Sequence, residues 1–367
     1  MKQQFDGPRL RVYLDRIVEN YQLLATHYTG DETAAVVKAN AYGLGAEPVA
    51  RALADAGCNT FFVATLDEAI QLRSALPNRR ICVFHGPGLG EELAYLNHRI
   101  TPVLCSPPQV ERWEAIAREN RNAQSILHID TAMARMGLTE TEWRALFDDD
   151  PERIERCQIS LIMSHLACAS DPEHTVNAEQ LALFTRMREE FPQLPASLVN
   201  SAGVFLDPSY HFQLARPGCS LYGIRPHNDA PNPMRNVIEL DAPILQLRTL
   251  DKTQTIGYGA TQELGAGRQL ATVALGYADG ILRCLTGQLQ GIVRGQKVPL
   301  VGRVTMDMLT FDVTDIPEGQ LQEADRITII GDDQPVDTIA DMADTIGYEV
   351  FCRLGRRIER VYMETAA

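Results

Sequence analysis

One pattern constrains this chain more than any other. Between about residues 11 and 225 a short β-branched or apolar run alternates with a longer stretch of helical character, and the alternation repeats eight times. Asp15–His27 places Ile17, Val18, Tyr21, Leu23 and Leu24 at helical spacing, and the run Ala34–Lys38 follows as a strand. Ala46–Ala56 reads as a helix, with Pro48 in its first turn and Gly57 as its stop. Further strands are expected to end near Thr65, His85, Ser106, Asp130, Ser164, Asn200 and Arg216. Helices are expected over Asp67–Leu76, Gln109–Glu119 and Ala178–Glu190. Alternation of this kind implies a parallel sheet. Eight units predict a TIM-type (β/α)8 barrel, and an open doubly wound sheet is the alternative that the count of eight disfavours. In a barrel, chemistry collects at the C-terminal ends of the strands.

Past about residue 235 the texture becomes mainly β. Ile244–Leu250, Gln269–Leu275, Gln290–Val298, Asp307–Val313 and Arg326–Ile330 read as strands, and only Thr338–Ile346 as a helix. The expected architecture is α/β, a barrel over residues 11–230 followed by a smaller all-β domain over 236–367. Residues 1–10 are left free to pack with the second domain, and the Pro/Asn-rich stretch Asp229–Asn236 is the hinge. The net charge of −14 argues against a nucleic-acid surface, which needs a basic face. Apolar runs such as Phe61–Ala64 fall far short of the roughly 18 residues of a membrane span, and the N-terminus has no apolar signal region. Eight scattered cysteines without a C-x-x-C pair read as thiols of a reducing, cytoplasmic compartment, not as a disulfide framework or a metal site.

The sharpest local feature is VVKANAYGLG (36–45), a lysine at the end of the first apolar strand followed by a glycine-bearing turn into a helix. A lysine whose stem is apolar and whose amine is partly desolvated has its ammonium form disfavoured. That is the state an amine needs to form an imine with a carbonyl. A strand-end lysine alone is most often an ordinary surface residue; the motif around it changes the odds. Barrels often hold phosphate with the loops after strands 7 and 8. Asn200-Ser201-Ala202-Gly203 follows the expected seventh strand and Arg216-Pro217-Gly218-Cys219 the eighth. The Ser201 hydroxyl, the backbone N–H groups of Gly218 and Cys219, and Tyr42 are therefore candidates for a phosphate cradle.

The chain resembles the alanine racemase family. The resemblance starts at the lysine motif and continues through HIDTAMARMGL (128–138), MSHLACAS (163–170), LVNSAG (198–203), ARPGCSLYG (215–223), IGYGATQ (256–262), GYADGI (276–281), VGRVTMD (301–307) and GYEVFCRLGRRIERVY (347–362). A single lysine motif would also fit related barrels, including amino-acid decarboxylases; the β-domain motifs favour racemases. The resemblance implies pyridoxal 5′-phosphate joined to Lys38, with Tyr42, Asn200, Ser201, Gly218, Cys219 and Tyr348 around the phosphate. It implies that Arg216 faces the ring nitrogen. A guanidinium is always charged and can only donate, so the nitrogen stays largely unprotonated and side reactions such as transamination are suppressed.

Racemisation requires the α-proton to leave one face and return on the other. Lys38 serves one face, and the resemblance assigns the other to Tyr258. A phenol is a poor base at neutral pH, so His165 is implied as its neighbour, with Arg216 extending the network. Arg135 and the Met306 N–H resemble the site for the substrate carboxylate, Tyr277 a gate, and Asp307 is implied as a further substrate-binding residue. The family pattern further implies a head-to-tail homodimer with composite sites, in which Tyr258, Tyr277, Met306 and Asp307 reach the partner's barrel. Four positions depart from it, and of these Cys219 and Thr305 are small variants at the pocket rim. His128 stands where the family often has a lysine carrying a carbamate, so either His128 or an anion orients Arg135. Ala132 replaces a frequent glycine. The activity expected is interconversion of L- and D-alanine, for peptidoglycan precursor or for alanine catabolism. A broader racemase and a pyridoxal phosphate carrier without racemase activity are the alternatives.

Overall fold

The structure is a computed structural model that describes residues 7–364. The chain forms two compact units. One comprises residues 16–235; the other comprises residues 236 onward together with the N-terminal residues through Asp15, and of these residues 1–6 lie outside the described residues.

In the first unit, seven parallel strands lie side by side in chain order: Ala35–Val36, Thr60–Val63, Arg80–Val83, Thr101–Leu104, Ser125–His128, Ile159–Met163 and Ala196–Ser197. The eighth, Leu214–Ala215, closes the circle. On one side Arg216 N–H donates to Val199 carbonyl at 3.0 Å and Gln213 N–H to Ala196 carbonyl at 3.0 Å. On the other, the strand pairs in parallel with Glu32–Thr33, and the N–H groups of Ala34 and Val36 donate to the carbonyls of Ala215 and Pro217, each at 2.9 Å. Closure removes both sheet edges and excludes the open-sheet alternative. Most strands read as unbroken buried runs, with Phe61, Phe62, Ile81, Val83, Ile126 and Ile162 at 0% exposure, as expected when both faces of a parallel sheet are covered.

The helices Leu14–His27, Ala46–Asp55, Leu66–Ala75, Pro107–Ala117 and Thr175–Arg188 lie within three residues of the bounds expected from periodicity. Thr65 and Thr139 close capping boxes with Glu68 and Glu142, fixing where two helices begin. Three short helices, Glu92–Asn97, Glu140–Phe147 and Arg153–Arg156, were not visible in the periodicity. Between the seventh and eighth strands the chain makes only 3₁₀ turns, at Gly203–Phe205 and Pro208–Tyr210.

The second unit is built on a sheet ordered Gln296–Pro299, Gln290–Val293, Arg326–Ile330, Ile238–Thr249, Arg9–Tyr13, Glu359–Met363. The long strand Ile238–Thr249 also pairs with Gln269–Val273, which pairs with Leu309–Asp312. Three sequence expectations are corrected here. The stretch Gln290–Val298 is a hairpin, because Arg294 and Gly295 both take positive φ and reverse the chain. A helix, Gly347–Arg353, follows Val336–Met342; it buries Val350 and Phe351 on one face. The N-terminal strand Arg9–Tyr13 belongs to this sheet, antiparallel to Ile238–Thr249 and parallel to Glu359–Met363, so the barrel unit starts at Arg16 and not near residue 11.

Asp241 locks that N-terminal strand in place. Its carboxylate is 2% exposed and accepts from the guanidinium groups of Arg11 and Arg326, which come from the two flanking strands. Removing one partner of a buried ion pair leaves the other charges uncompensated, at a cost of about 3–5 kcal/mol. Asp241→Ala should therefore lower the stability of this unit by about that amount, measured by urea unfolding. A loss below about 1 kcal/mol would mean the cluster is solvated and does not fix the strand.

Candidate active site

Barrel closure sets the C-terminal end of the eighth strand beside that of the first, which brings Arg216, Gly218 and Cys219 next to Val36, Lys38 and Tyr42. The chain has four lysines, and Lys38 is the one lying between residues 16 and 235. It opens a turn of unusual handedness. Ala39, Asn40, Ala41 and Tyr42 all have φ between 52° and 56°, and Gly43 follows at 87°. A left-handed turn costs an L-residue roughly 1–2 kcal/mol, so this one must be held by its surroundings. Within the turn, Ala41 N–H donates to Val37 carbonyl at 2.9 Å and Gly43 N–H to Ala39 carbonyl at 2.8 Å. Asn40 Oδ1 accepts from Ala46 N–H at 2.8 Å, capping the next helix. Lys38 Nζ lies 5.8 Å from the centroid of the Phe84 ring, within cation–π range. Phe84 stacks on Phe62 at 4.9 Å. Sequence reasoning passed over Phe84, because nothing in an apolar strand marks which aromatic edge faces the rim.

Arg216 is 2% exposed. One terminal nitrogen donates to Ser197 Oγ, the other to Ser164 carbonyl and, at 3.5 Å, to Leu198 carbonyl. Burial pushes its pKa down to about 10, which leaves it protonated at neutral pH. Its Nε is buried and has no hydrogen-bond partner. An orphaned buried donor is costly, so this N–H calls for an acceptor brought by a ligand. Ser201 Oγ accepts from Gly218 N–H at 2.8 Å and from Ser220 N–H at 3.3 Å, clamping the loops after strands 7 and 8 to one another. Asn200 Oδ1 accepts from Gly203 N–H at 3.0 Å. A Cβ added at Gly218 would sit 2.5 Å from Tyr42 Oη, so only glycine lets the tyrosine hydroxyl come this near the loop. Tyr42 in turn packs on Tyr222 at 4.8 Å between ring centroids.

His165 follows the strand Ile159–Met163. Burial first, then the charges of Arg216, Arg135, His128 and Lys38, hold its pKa well below the usual 6.5, so it is a neutral imidazole. Gln180, from the helix Thr175–Arg188, fixes its backbone. The Gln180 amide nitrogen donates to His165 carbonyl at 3.0 Å and to Thr131 Oγ1 at 3.2 Å, and its oxygen accepts from Ala167 N–H at 2.8 Å. Arg135 is exposed, on the loop 130–137 that Asp130 shapes by accepting from Met133 N–H at 2.9 Å. Ala132 in that loop has φ 82°, a conformation that suits the glycine of the family pattern better. His128 lies beneath the loop, its Nδ1 3.7 Å from Cys105 Sγ. The strand-end polar residues named from the sequence thus share one rim of the barrel unit.

The remaining candidates sit in the β unit. Tyr258 crowns the hairpin Gln254–Ile256/Gln262–Leu264, flanked by Gly257 and Gly259 at φ 66° and 78°, and is 74% exposed. Tyr277, Met306 and Asp307 are stitched together: Tyr277 N–H donates to Thr305 carbonyl at 2.9 Å and Ala278 N–H to Met306 carbonyl at 3.0 Å. Arg357 binds both oxygens of buried Asp279, at 2.7 and 2.9 Å, and Asp307 Oδ1 at 2.7 Å. The Asp307 carboxylate is thus engaged by Arg357, and the Asp279–Arg357 pair that holds both loops was missed in the sequence. Tyr348 lies on the helix Gly347–Arg353. Among the described residues no cluster of metal ligands occurs and no helix is long and apolar enough to cross a membrane. All eight cysteines are free thiols.

A closed parallel barrel with a lone lysine, a buried arginine and two mutually clamped loops gathered at one rim has the architecture of a barrel enzyme. The comparisons with known proteins make the family specific. The family description "Alanine racemase, N-terminal domain" fits residues 12–226 and "Alanine racemase, C-terminal domain" residues 237–362. The alanine racemase of Rhodospirillum rubrum is 47% identical over 356 residues, covering 96% of this chain and 95% of that protein. The crystal structure of alanine racemase from Bartonella henselae with covalently bound pyridoxal phosphate superposes with a TM-score of 0.91 at 37% identity, over 97% and 99% of the two chains. That of Acinetobacter baumannii gives 0.89 at 26% identity, over 98% and 100%. The chain belongs to the alanine racemase family.

His128 leads to a pH prediction. Burial, reinforced by Arg216 and Arg135, pushes its pKa down to about 3. An unfolded histidine takes up its proton near pH 6.5, so between these values the unfolded state holds one more proton than the folded one. Stability from this residue is therefore complete above about pH 6.5 and falls as the pH drops toward 3, by at most about 1.4 kcal/mol per pH unit. His165 acts in the same direction. His128→Asn should remove about one proton's share of the slope between about pH 6 and 4.5, read from urea unfolding across that range. An unchanged slope would place the acid sensitivity elsewhere.

Proposed function

We propose that this protein is a pyridoxal 5′-phosphate-dependent racemase that interconverts L- and D-alanine, with Lys38 and Tyr258 moving the α-proton on opposite faces of the substrate. The observation that carries the reading is the buried, partnerless Arg216 Nε on the same rim as Lys38. It is a buried donor that an aromatic nitrogen would satisfy, on the rim that also carries an amine able to hold an aldehyde. The residues present fit the cofactor: Lys38 Nζ would hold it covalently, while Tyr42, Asn200, Ser201, the loop at Gly218, the Cys219 N–H and Tyr348 would hold its phosphate. When bound, the cofactor supplies an electron sink that acidifies the substrate Cα–H.

The protein's part is positioning and proton transfer. Arg216 Nε would donate to the ring nitrogen; a guanidinium has no proton to spare for it, so that nitrogen would stay unprotonated. Lys38 Nζ would take or return the α-proton on one face. The partner subunit's Tyr258 does so at Oη on the other, with neutral His165 stabilising the phenolate and Arg216 extending the network. Arg135 and the Met306 N–H hold the substrate carboxylate. Tyr277 narrows the entrance to favour a methyl side chain, and Asp307 steadies the Met306 loop through Arg357. The barrel unit, residues 16–235, would bind the cofactor, and the mainly β unit would supply Tyr258 in a head-to-tail homodimer with composite sites. Eight free thiols fit a reducing cytoplasm.

The purified protein should absorb in the visible and racemise alanine faster than any other amino acid of a chiral panel. Lys38→Ala should lose the visible band, and Tyr258→Phe should slow α-proton exchange by about 10²-fold or more, in one substrate direction more than in the other. Mixing the two inactive chains should restore part of the activity, because one site of the heterodimer is then intact. Retained colour in Lys38→Ala would misassign the lysine, and no recovery in verified heterodimers would rule out shared sites.

A further inference from the structure

One carboxylate near the rim does two things at once. Glu68 is the third residue of the helix Leu66–Ala75 and completes a capping box: its N–H donates to Thr65 Oγ1 at 3.3 Å, and Thr65 N–H donates to its Oε2 at 3.3 Å. Oε2 also accepts from Ala64 N–H at 2.8 Å. The box employs only that oxygen. The other, Oε1, accepts at 2.6 Å from the N–H of Ala39, the residue immediately after Lys38.

We propose that Glu68 is a positioning residue for Lys38. The direction of the Ala39 N–H is set by ψ of Lys38, and Ala39 is the first residue of the left-handed turn, at φ 52°, ψ 45°. Anchoring this one N–H fixes the peptide plane from which the lysine side chain projects. The turn cannot do so itself: its internal bonds begin with the N–H of Ala41, and the N–H groups at the start of any helical turn lack an internal partner. A carboxylate is the strongest acceptor available for that orphan donor. The turn is thus held at its entry by Glu68 and at its exit by Asn40. The helix that carries Glu68 is tied through Ala64 to the end of the strand Thr60–Val63, so the lysine is fixed relative to the neighbouring strand of the barrel.

This inference rests on the reading of Lys38 as the cofactor-bearing residue, and its test separates the two. Three variants are compared. Glu68→Leu removes both acceptors. Glu68→Gln keeps one, so it serves either Ala39 or the cap while its amide N–H opposes the other. Thr65→Ala weakens the cap and leaves the Ala39 bond alone. Backbone hydrogen exchange over residues 37–45 is followed in cofactor-free protein, and the pH midpoint of the visible band, kcat and KM in the loaded enzyme. In Glu68→Leu the turn should lose roughly tenfold or more of its protection, the size expected when a hydrogen bond to a charged acceptor is removed. The pH midpoint should shift, and kcat should fall by more than KM changes. Glu68→Gln should lie between this variant and wild type, and it carries the test if Glu68→Leu does not fold. Thr65→Ala should lower Tm yet match wild type in all three readouts. Equal behaviour of Thr65→Ala and Glu68→Leu, or exchange in the turn that neither Glu68 variant alters, would make Glu68 a helix cap and nothing more. Absence of a visible band from the wild type would overturn the reading of Lys38, while the exchange comparison would still decide the role of Glu68.

Discussion

The site depends on the closure of the barrel through one very short strand. Leu214–Ala215 is hydrogen-bonded on both flanks, to the stretch 196–199 and to 32–36. These bonds carry the end of the last strand against the end of the first. Arg216, Gly218 and the lysine turn meet because the sheet has no edge left. An open sheet of the same eight strands would set Lys38 and Arg216 at opposite margins. The chemistry of an amine, a permanently charged guanidinium and a neutral imidazole then follows from closure plus burial. Burial strips His165 and His128 of their protons, and it leaves Arg216 charged while depriving its Nε of water.

Strain and restraint are paired along the rim. Four successive L-residues in the left-handed region are unfavourable on their own, yet they lead the chain from Lys38 at the strand end to Gly43 and the helix Ala46–Asp55. What offsets that cost is local: the Asn40 bond to Ala46 of the following helix, Glu68 of the helix Leu66–Ala75, and the packing of Tyr42 on Tyr222 against Gly218. Ala132 shows the same economy on a smaller scale, tolerated at φ 82° in a loop that Asp130 holds.

Much of this was legible in the sequence, for physical reasons. Parallel strands covered on both faces are contiguous apolar runs, and amphipathic helices between them have a clear period, so the eight-fold alternation and the barrel could be read directly. The lysine, the loops after strands 7 and 8, His165 and Arg216 were legible as polar residues at strand ends and through the family resemblance. Other features left no local trace. The pairing of Arg9–Tyr13 with Glu359–Met363 joins residues about 350 apart, and no pattern near either end announces it. The hairpin at Arg294–Gly295 looked like one strand because only one residue of its turn is a glycine. Glu68 and Gln180 read as ordinary polar positions of surface helices; their partners are mostly backbone groups, which a sequence does not mark. The handedness of the lysine turn was equally hidden, since alanine, asparagine and tyrosine seldom adopt it.

The central claim, that the barrel-rim amine is the cofactor's covalent anchor, has a direct chemical test. The coloured protein is treated with borohydride, digested, and the fixed cofactor located by mass spectrometry. Of the four lysines, the account predicts modification of Lys38 alone, with one cofactor per chain and complete loss of activity. Cofactor fixed to Lys2, Lys252 or Lys297 instead, or full activity after reduction with Lys38 unmodified, would contradict it.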